Sequence, residues 1–589
     1  MAVGTYPGIY LQEVDNSNVP KNSNAYYAAV LGRAFQGLPN SKVLVQSESE
    51  LVQTFGIPMV SGSYPLVSAI DYGIYAGIEA LKETTNLYYV RITDGTETYA
   101  NITVPTGSAS ATSGTVSVVS AAASTAYPNI AGYPDGNTSN NNYDLSVYNG
   151  VPNGLRFAAL GPGAAGNNIA VAVWTPVISS TGLSGLYDWA NKYDSSTISS
   201  ASTKVASRVF KVQVFTKLSN QNFDTTWWSA TSSAPVETWY GSTNFMDTDP
   251  NGNDLFIQSV INGNSNYVYV TSNKTDGTLP AYTTTAFGLV GGSDATSLSP
   301  INTSTVWNLF ANKETAQMDV AVVIPRTKDS YSDSNEVAAL ASLAGQRLDF
   351  TGYIQASSLA STSVNAIVQD NSNVTVASNP SYFGKYVGWN LVFDRYNSSR
   401  VYLPNAIYGA EVSLRASRVG NPWDAPAGIS VGQLPSGKQN VNLTPSQAGP
   451  LYNQYNLNTV KYINGTGGVI WGQKTAQLQA TARDRLNVRK MLIYVEDNIA
   501  SILNGFLFTG NTSKARERVS SLINSFLASV LSGSGVQSYK VVCNDSNNTS
   551  TTITQNILNV DVYIQPTYTI EFISLTVTIS SDNVSVSEG

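Results

Sequence analysis

Residues 557–579 read "ILNVDVYIQPTYTIEFISLTVTI". Leu558, Val560, Val562 and Ile564 fall on one side of an extended chain, while Asn559, Asp561, Tyr563 and Gln565 fall on the other. That is the period of two expected of a half-buried β-strand. After Pro566 the apolar positions are Tyr568, Ile570 and Phe572, and from Ile573 the phase flips, so that Leu575, Val577 and Ile579 carry the apolar face. A one-residue flip implies a bulge or a change of sheet. The last residues, "SDNVSVSEG", place Val584 and Val586 in alternation on a polar tether.

Upstream the period changes to that of a helix. Val488, Leu492, Val495, Ile499, Ile502 and Phe506 recur at steps of four and three, an amphipathic stripe. A second helix over about 513–531 carries Ala515, Val519, Leu522, Phe526 and Val530 on one face, and Gly533 ends it. The two form a helical hairpin joined through "FTGNT". Further back, "MDVAVVIP" reads as a buried strand and "SNEVAALASLAGQRLDF" as a helix opening at Ser334 or Asn335. "KYVGWNLVFD" reads as one strand, and Pro404 suits the first residue of a helix through about Arg415. This alternation implies an α/β core.

Near the start, Tyr27 to Gly32 and Lys42 to Val45 read as strands. In "SESELVQTFG" Ser47 is a candidate N-cap, Glu50 occupies the capping-box place and Gly56 is a stop. A helix is expected over 68–81 and a strand over 86–93. Between Asp94 and Asn153 the composition turns to Ser, Thr, Asn, Gly and Ala, which reads as a peripheral insertion. Residues 156–288 carry short β-like runs such as Ile169 to Trp174. At the N-terminus, "TYPGIYLQEVDNSNVP" (Thr5 to Pro20) alternates Ile9 and Leu11 with Tyr10 and Gln12, then runs through Val14 into a polar stretch. A lone strand is not stable in water. The chain thus has a strand at each end that needs a sheet edge from elsewhere.

Composition narrows the function. The 589 residues include 42% hydrophobic and 10% aromatic residues, enough for several cores, with only 12% charged, about half the usual share. The net charge of −7 argues against a dedicated nucleic-acid binder. No signal peptide is expected at Met1-Ala2-Val3-Gly4, and the most apolar run, Val320 to Ile324, is too short to span a bilayer. Cys543 is alone, which excludes an internal disulfide and reads as a small packed side chain. Histidine is absent, which closes Ser-His-Asp and Cys-His catalysis and HExxH metal sites. No enzyme activity, cofactor or metal is expected.

Several motifs taken together resemble one family. "YPGIYLQEV", "AAVLGRAFQGLPNSKVLVQSESELVQTFGIP", "NLYYVRI", "AGQRLDFTGYI", "GGVIWGQKTA", "DRLNVRKMLIYVEDNI" and "ILNVDVYIQPTYTIEFISLTVTI" are similar, in this order, to segments of the contractile tail sheath proteins of myophages, of the T4-like kind. The likeness covers both ends and the stretch from about Gly288 to Ile579, and fades across 94–153. It implies a mixed α/β multidomain fold. A sheath core is built from N- and C-terminal regions, and β-rich peripheral domains are inserted into it. The implied division is a 1–22 arm, a middle domain of 23–93 with 155–300, a 94–154 insertion, a 301–444 core, a 445–579 inner domain and a 580–589 arm.

The resemblance also implies a role. Sheath subunits stack as six-fold rings around a tube, and terminal arms are donated into a neighbour's sheet. Ile9, Tyr10, Leu11, Gln12, Val14, Val584 and Val586 would be the donated positions. Val560, Val562, Ile564, Ile570, Phe572, Leu575 and Val577 would belong to acceptor or closing strands. The implied partners are further copies of the chain, a tail tube protein, and baseplate and tail terminator proteins, in a virion assembled in the host cytoplasm. Nucleic acid and membrane are not among them. A phage-like injection particle or bacteriocin sheath is the near alternative, and a glycan-binding adhesin the remote one.

Three local patterns admit two readings. "GPGAAG", 161–166, satisfies GxGxxG, but strand-like "NNIAVAVW" follows where a dinucleotide site needs a helix. "DTDPNG", 247–252, matches half an EF-hand loop, yet Gln258 stands at the twelfth position, so a turn is expected. Arg483, Arg485, Arg489, Lys490, Lys514, Arg516 and Arg518 concentrate positive charge on the helical hairpin. They read either as a solvated helix face or as a patch that docks on an acidic tube.

Overall fold

The computed structural model describes residues 26–62, 66, 68–93, 98–105, 154–175, 178–179, 182–183, 192–193, 208–216, 234–272, 277–280, 286–293, 303–435 and 438–574. The expected arm positions Ile9, Tyr10, Leu11, Gln12, Val14, Val584 and Val586, with Leu575 and Val577, lie outside these residues.

The first elements are β1 (Tyr27–Gly32), β2 (Lys42–Val45), α1 (Glu48–Phe55), α2 (Gly73–Leu81) and β3 (Asn86–Arg91). Ser47 caps α1 by accepting the Glu50 amide at 3.2 Å. The Glu50 carboxylate reaches back one residue beyond the cap, to the Gln46 amide at 2.8 Å. The second helix starts at Gly73 rather than Ser68. The Asp71 carboxylate accepts the Gly73 amide at 2.7 Å, while Ser68–Ala69 pairs with Val60–Ser61 instead.

The middle of the chain is antiparallel β: β4 (Asn101–Pro105), β5 (Gly154–Ala159), β6 (Ile169–Trp174), β7 (Phe210–Thr216), β8 (Glu237–Gly241), then α3 (Ile257–Asn262), β9 (Val268–Ser272) and β10 (Phe287–Gly288). The sheets β9-β5-β4 and β8-β7-β6-β10 share one core of Ile102, Phe157, Val173, Val212 and Val270. Since β4 pairs with β5, the start of the expected 94–154 insertion belongs to this sandwich.

The chain then forms β11 (Val320–Val323), α4 (Ser334–Arg347), β12 (Thr351–Gln355), β13 (Phe383–Tyr386), β14 (Trp389–Asp394), β15 (Ser399–Pro404), α5 (Asn405–Val419), α6 (Pro445–Tyr455) and β16 (Leu457–Asn458). The helix α4 opens at Ser334, as the sequence implies, and Asp333 before it is the cap. "KYVGWNLVFD" is two strands, broken at Gly388, whose φ of 84° is open to glycine at little cost. Pro404 closes β15 and flanks α5, so it is not the first helical residue.

One seven-stranded sheet runs β2-β3-β1-β11-β12-β13-β16, parallel except for the edge strand β2. Its inner strands are buried on both faces. Ala28, Val30, Val320 and Val322 face one apolar core, and Ala29, Leu31, Ala321 and Val323 face the other. Such continuous apolar runs are what parallel strands between two helical layers require. The stretch expected to join 155–300 is therefore the first half of this sheet, completed by residues 320–458. At the carboxyl ends of β1 and β11, where doubly wound sheets place ligands, the protein is filled with its own groups. A Cβ on Gly32 would lie 2.5 Å from the Gly73 Cα, and Arg326 is bonded to Glu336 at 2.5 Å and to the Leu31 carbonyl at 3.1 Å.

The C-terminal part holds α7 (Leu486–Asn504), α8 (Ser513–Ser532), β17 (Val536–Val542) and β18 (Asp561–Pro566). Val488, Val495 and Ile502 of α7 meet Val519, Phe526 and Val530 of α8, the stripes read from the sequence.

Lys385 in β13 is buried, and its ammonium donates to Asn371 Oδ1 at 2.6 Å. Burial lowers its pKa to about 8. Below that pH both folded and unfolded chains carry the charge. Between about 8 and the ordinary value of 10.5 only the unfolded chain does, so stability rises with pH there. Lys385→Met is expected to gain about 2–3 kcal/mol at pH 7 in denaturant titrations, the gain shrinking towards pH 10. A pH-independent difference would contradict this assignment.

Candidate assembly surface in the C-terminal domain

Two strands, β17 and β18, make an antiparallel ribbon with pairs such as Tyr539↔Ile564 and Val541↔Val562. Val562 and Ile564, with Leu558 and Val560 just before β18, turn onto the α7–α8 core, as do Tyr539 and Val541. Asp561, Tyr563 and Gln565 face outward, the division the alternation implies. The register shifts between Val536 and Ser538, a bulge or irregularity that no local pattern marks. Among the described residues no third strand joins the ribbon on either side. Its outer backbone groups form two open edges, and two strands alone are marginal without further pairing.

Beyond Pro566 the chain joins no ladder, and its side chains alternate between exposed and partly buried as far as Phe572. Its outward side chains are apolar: Tyr568 is 58% exposed, Ile570 84%, Phe572 77% and Ile573 87%. Of the expected acceptor or closing positions, Val560, Val562 and Ile564 thus lie together under the ribbon, while Ile570 and Phe572 stand in solvent. Thr569 and Glu571 turn inward instead, and Glu571 receives Arg485 Nε at 2.7 Å and Nη2 at 2.9 Å. Sequence reading missed this pairing. Its one local signal was an acid set among apolar alternates in "YTIEF".

The seven basic residues do not make one patch. Arg489 is buried, bonds Ser381 Oγ at 2.6 Å and lies 4.1 Å from the Tyr382 ring centroid. Burial lowers its pKa. Lys490 donates to the Ser413 carbonyl at 3.0 Å, and burial, opposed by Asp424 and Asp319, lowers it to about 7. Arg516 is buried, with Asn511 Oδ1 at 2.8 Å and Asp545 Oδ1 at 2.5 Å. Arg485 is held by Glu571. Arg483, Lys514 and Arg518 remain exposed. The partner acids and rings come from distant parts of the chain, so counting charges along one hairpin overstates its basic face.

The other motifs are structural. Asp247 is buried against Arg208, at 2.5 Å, and Ser242, at 2.6 Å. Asp249 accepts the Asn251 and Asn253 amides, the turn expected of "DTDPNG". "GPGAAG" leads through a short 3₁₀ turn into β6. Cys543 is buried, and that burial raises its thiol pKa. Among the described residues no helix is long and apolar enough to cross a membrane.

The many-sheeted α/β fold thus carries, among its last described residues, an open ribbon followed by an exposed apolar segment. Residues 479–580, which hold α7, α8 and the ribbon, match the phage tail sheath C-terminal domain. The tail sheath protein of Vibrio phage KVP40 is 30% identical over 222 residues, covering 38% of this chain and 32% of that protein. That of Enterobacteria phage T4 is 31% identical over 184 residues, covering 31% and 28%. That of Salmonella phage ViI is 25% identical over 332 residues, covering 55% and 49%. The chain spans about half the length, or less, of these curated relatives.

The sheath tail protein structures of Listeria innocua and Desulfitobacterium hafniense share the fold at 11% identity. Their TM-scores are 0.52 and 0.51, with coverage of 92% and 96% of this chain and 92% and 98% of theirs. The chain is thus similar to phage tail sheath proteins in its C-terminal region, and shares their fold.

If the basic residues divide as described, Arg489→Ala and Arg516→Ala each lower stability by about 1–3 kcal/mol through lost packing and bonding. Lys514→Ala and Arg518→Ala leave the melting temperature unchanged. Thermal melts of the four variants check this, and equal losses in all four would contradict the division.

Proposed function

We propose that the chain is the sheath subunit of a contractile phage tail. It polymerises as six-fold rings stacked into a helix around a tail tube, bounded by baseplate and tail terminator proteins, within the virion. Contraction takes the sheath from a metastable extended packing to a better-packed short one and drives the tube through the host envelope. Energy stored at assembly suffices for such a move between two packings.

The observation that carries this reading is the open-edged ribbon in the domain matched to the family. Adding a strand there supplies main-chain hydrogen bonds, with alternate side chains for specificity. A contact that joins different faces of successive copies does not close on itself and propagates into a filament. The positions proposed for donation are Ile9 to Val14 at one end and Val584 and Val586 at the other. Low charge suits surfaces that must lie against their own copies. Exposed Arg483, Lys514 and Arg518 are the residues left to meet an acidic tube.

Electron microscopy of the purified chain tests the proposal. The full chain is expected to form helical tubes or polysheath, and a chain lacking residues 1–20 to stay folded without polymerising. Discrete oligomers from the full chain, or long tubes from the truncated one, would contradict it.

A further inference from the structure

The segment after β18 has its polarity reversed. Along residues 568–572 the apolar side chains point to water and the polar ones point to the protein. An isolated subunit gains nothing from that choice, since burying Tyr568, Ile570 and Phe572 would remove far more apolar surface from water. Something else holds the segment this way round.

The holding groups are specific. The Glu571 carboxylate takes a two-pronged bond from Arg485, at 2.7 and 2.9 Å, and a third from the Tyr452 hydroxyl at 3.1 Å. Gln473 Nε2 donates to Thr569 Oγ1 at 2.6 Å and to Glu571 Oε1 at 3.4 Å. The three partners come from α6, from the loop before α7 and from the residue preceding α7. The Arg485 and Glu571 side chains are only 21% and 17% exposed. Burial alone would raise the Glu571 pKa, but the bonds and charge of Arg485 outweigh it and hold the acid below its ordinary value. Bidentate Arg–carboxylate pairs fix direction as well as adding attraction. Chain ends usually fray unless tied down, and this tie falls two residues after Thr569 and next to Ile570 and Phe572.

Resting on the sheath reading above, we propose that Glu571 is a positioning residue for assembly. Clamped by Arg485, Tyr452 and Gln473, it fixes the line along which the C-terminal segment leaves the body and turns the Tyr568–Ile570–Phe572 face outward to seat a second copy of the chain. The occupant follows from continuity. The segment prolongs β18, an edge strand of the open ribbon, so a copy that pairs with that edge runs directly onto this face. Grooves of about 690 Å³, beside Thr481 and Val488, and about 720 Å³, beside Leu443, Tyr462 and Trp471, flank it and would take side chains from that copy.

The test uses the full chain with Glu571→Gln, Arg485→Glu, the charge swap Glu571→Arg with Arg485→Glu, and Ile570→Asp with Phe572→Asp. Limited proteolysis of dilute subunits reads the clamp, sedimentation and electron microscopy read the polymer, and thermal melts report the body. Glu571→Gln should be cut within 567–574 about tenfold faster, as expected when a charge-assisted bond is lost. It should form few or short tubes with the body's melting temperature unchanged, and the swap should recover both properties. Ile570→Asp with Phe572→Asp should keep the protection yet fail to polymerise.

Glu571→Gln polymers like those of the unmodified chain would overturn the positioning role, whether or not cleavage quickens. Normal tubes from the Ile570→Asp, Phe572→Asp variant would overturn the seat. Failure of the unmodified chain to polymerise would instead overturn the sheath reading itself, while faster cleavage of Glu571→Gln would still report the clamp.

Discussion

Strand edges carry backbone N–H and C=O groups that must bond to something, and the structure treats its sheets differently in this respect. The central sheet threads six parallel strands between two helical layers and ends in short edge strands, β2 and the two-residue β16. Its hydrogen-bonding capacity is nearly used within the chain. The ribbon of β17 and β18 has one face on the α7–α8 hairpin and both edges open among the described residues. The part of the molecule that matches the phage tail sheath C-terminal domain thus has open strand edges among the described residues.

That asymmetry also orders the electrostatics. Charged groups are scarce, and in the C-terminal domain most positive ones are drawn into the chain's own contacts: Arg489 on Tyr382, Lys490 on the Ser413 carbonyl, Arg516 on Asp545, Arg485 on Glu571. They join helices to neighbouring segments, while Lys514, Arg518, Lys540 and Asp561 stay exposed on and around the ribbon. A further strand added along its edges would take its register from main-chain pairing.

The local elements were legible where one face of a segment meets one core. The ranges of β1 and β2, the Ser47 cap and the α7 and α8 stripes all follow from periodicities within a few residues. What failed depended on distant partners. That residues 27–91 share a sheet with 320–458 leaves no mark in either segment alone, because parallel neighbours are joined by long crossovers. The break at Gly388 is a backbone angle inside an otherwise apolar run. The basic cluster misled because Asp545 and Glu571, its acids, lie 29 and 86 residues away from their arginines. The family resemblance rested on the order of several motifs, and order survives where single contacts cannot be read.

The most direct measurement of the central claim is backbone hydrogen exchange, compared between dilute subunits and the assembled polymer. Incomplete sheets completed by neighbouring copies predict new protection along 536–542 and 561–574 on assembly, with the strands β1, β11 and β12 already protected in both states. Exchange along the ribbon that is the same in subunit and polymer would contradict the account.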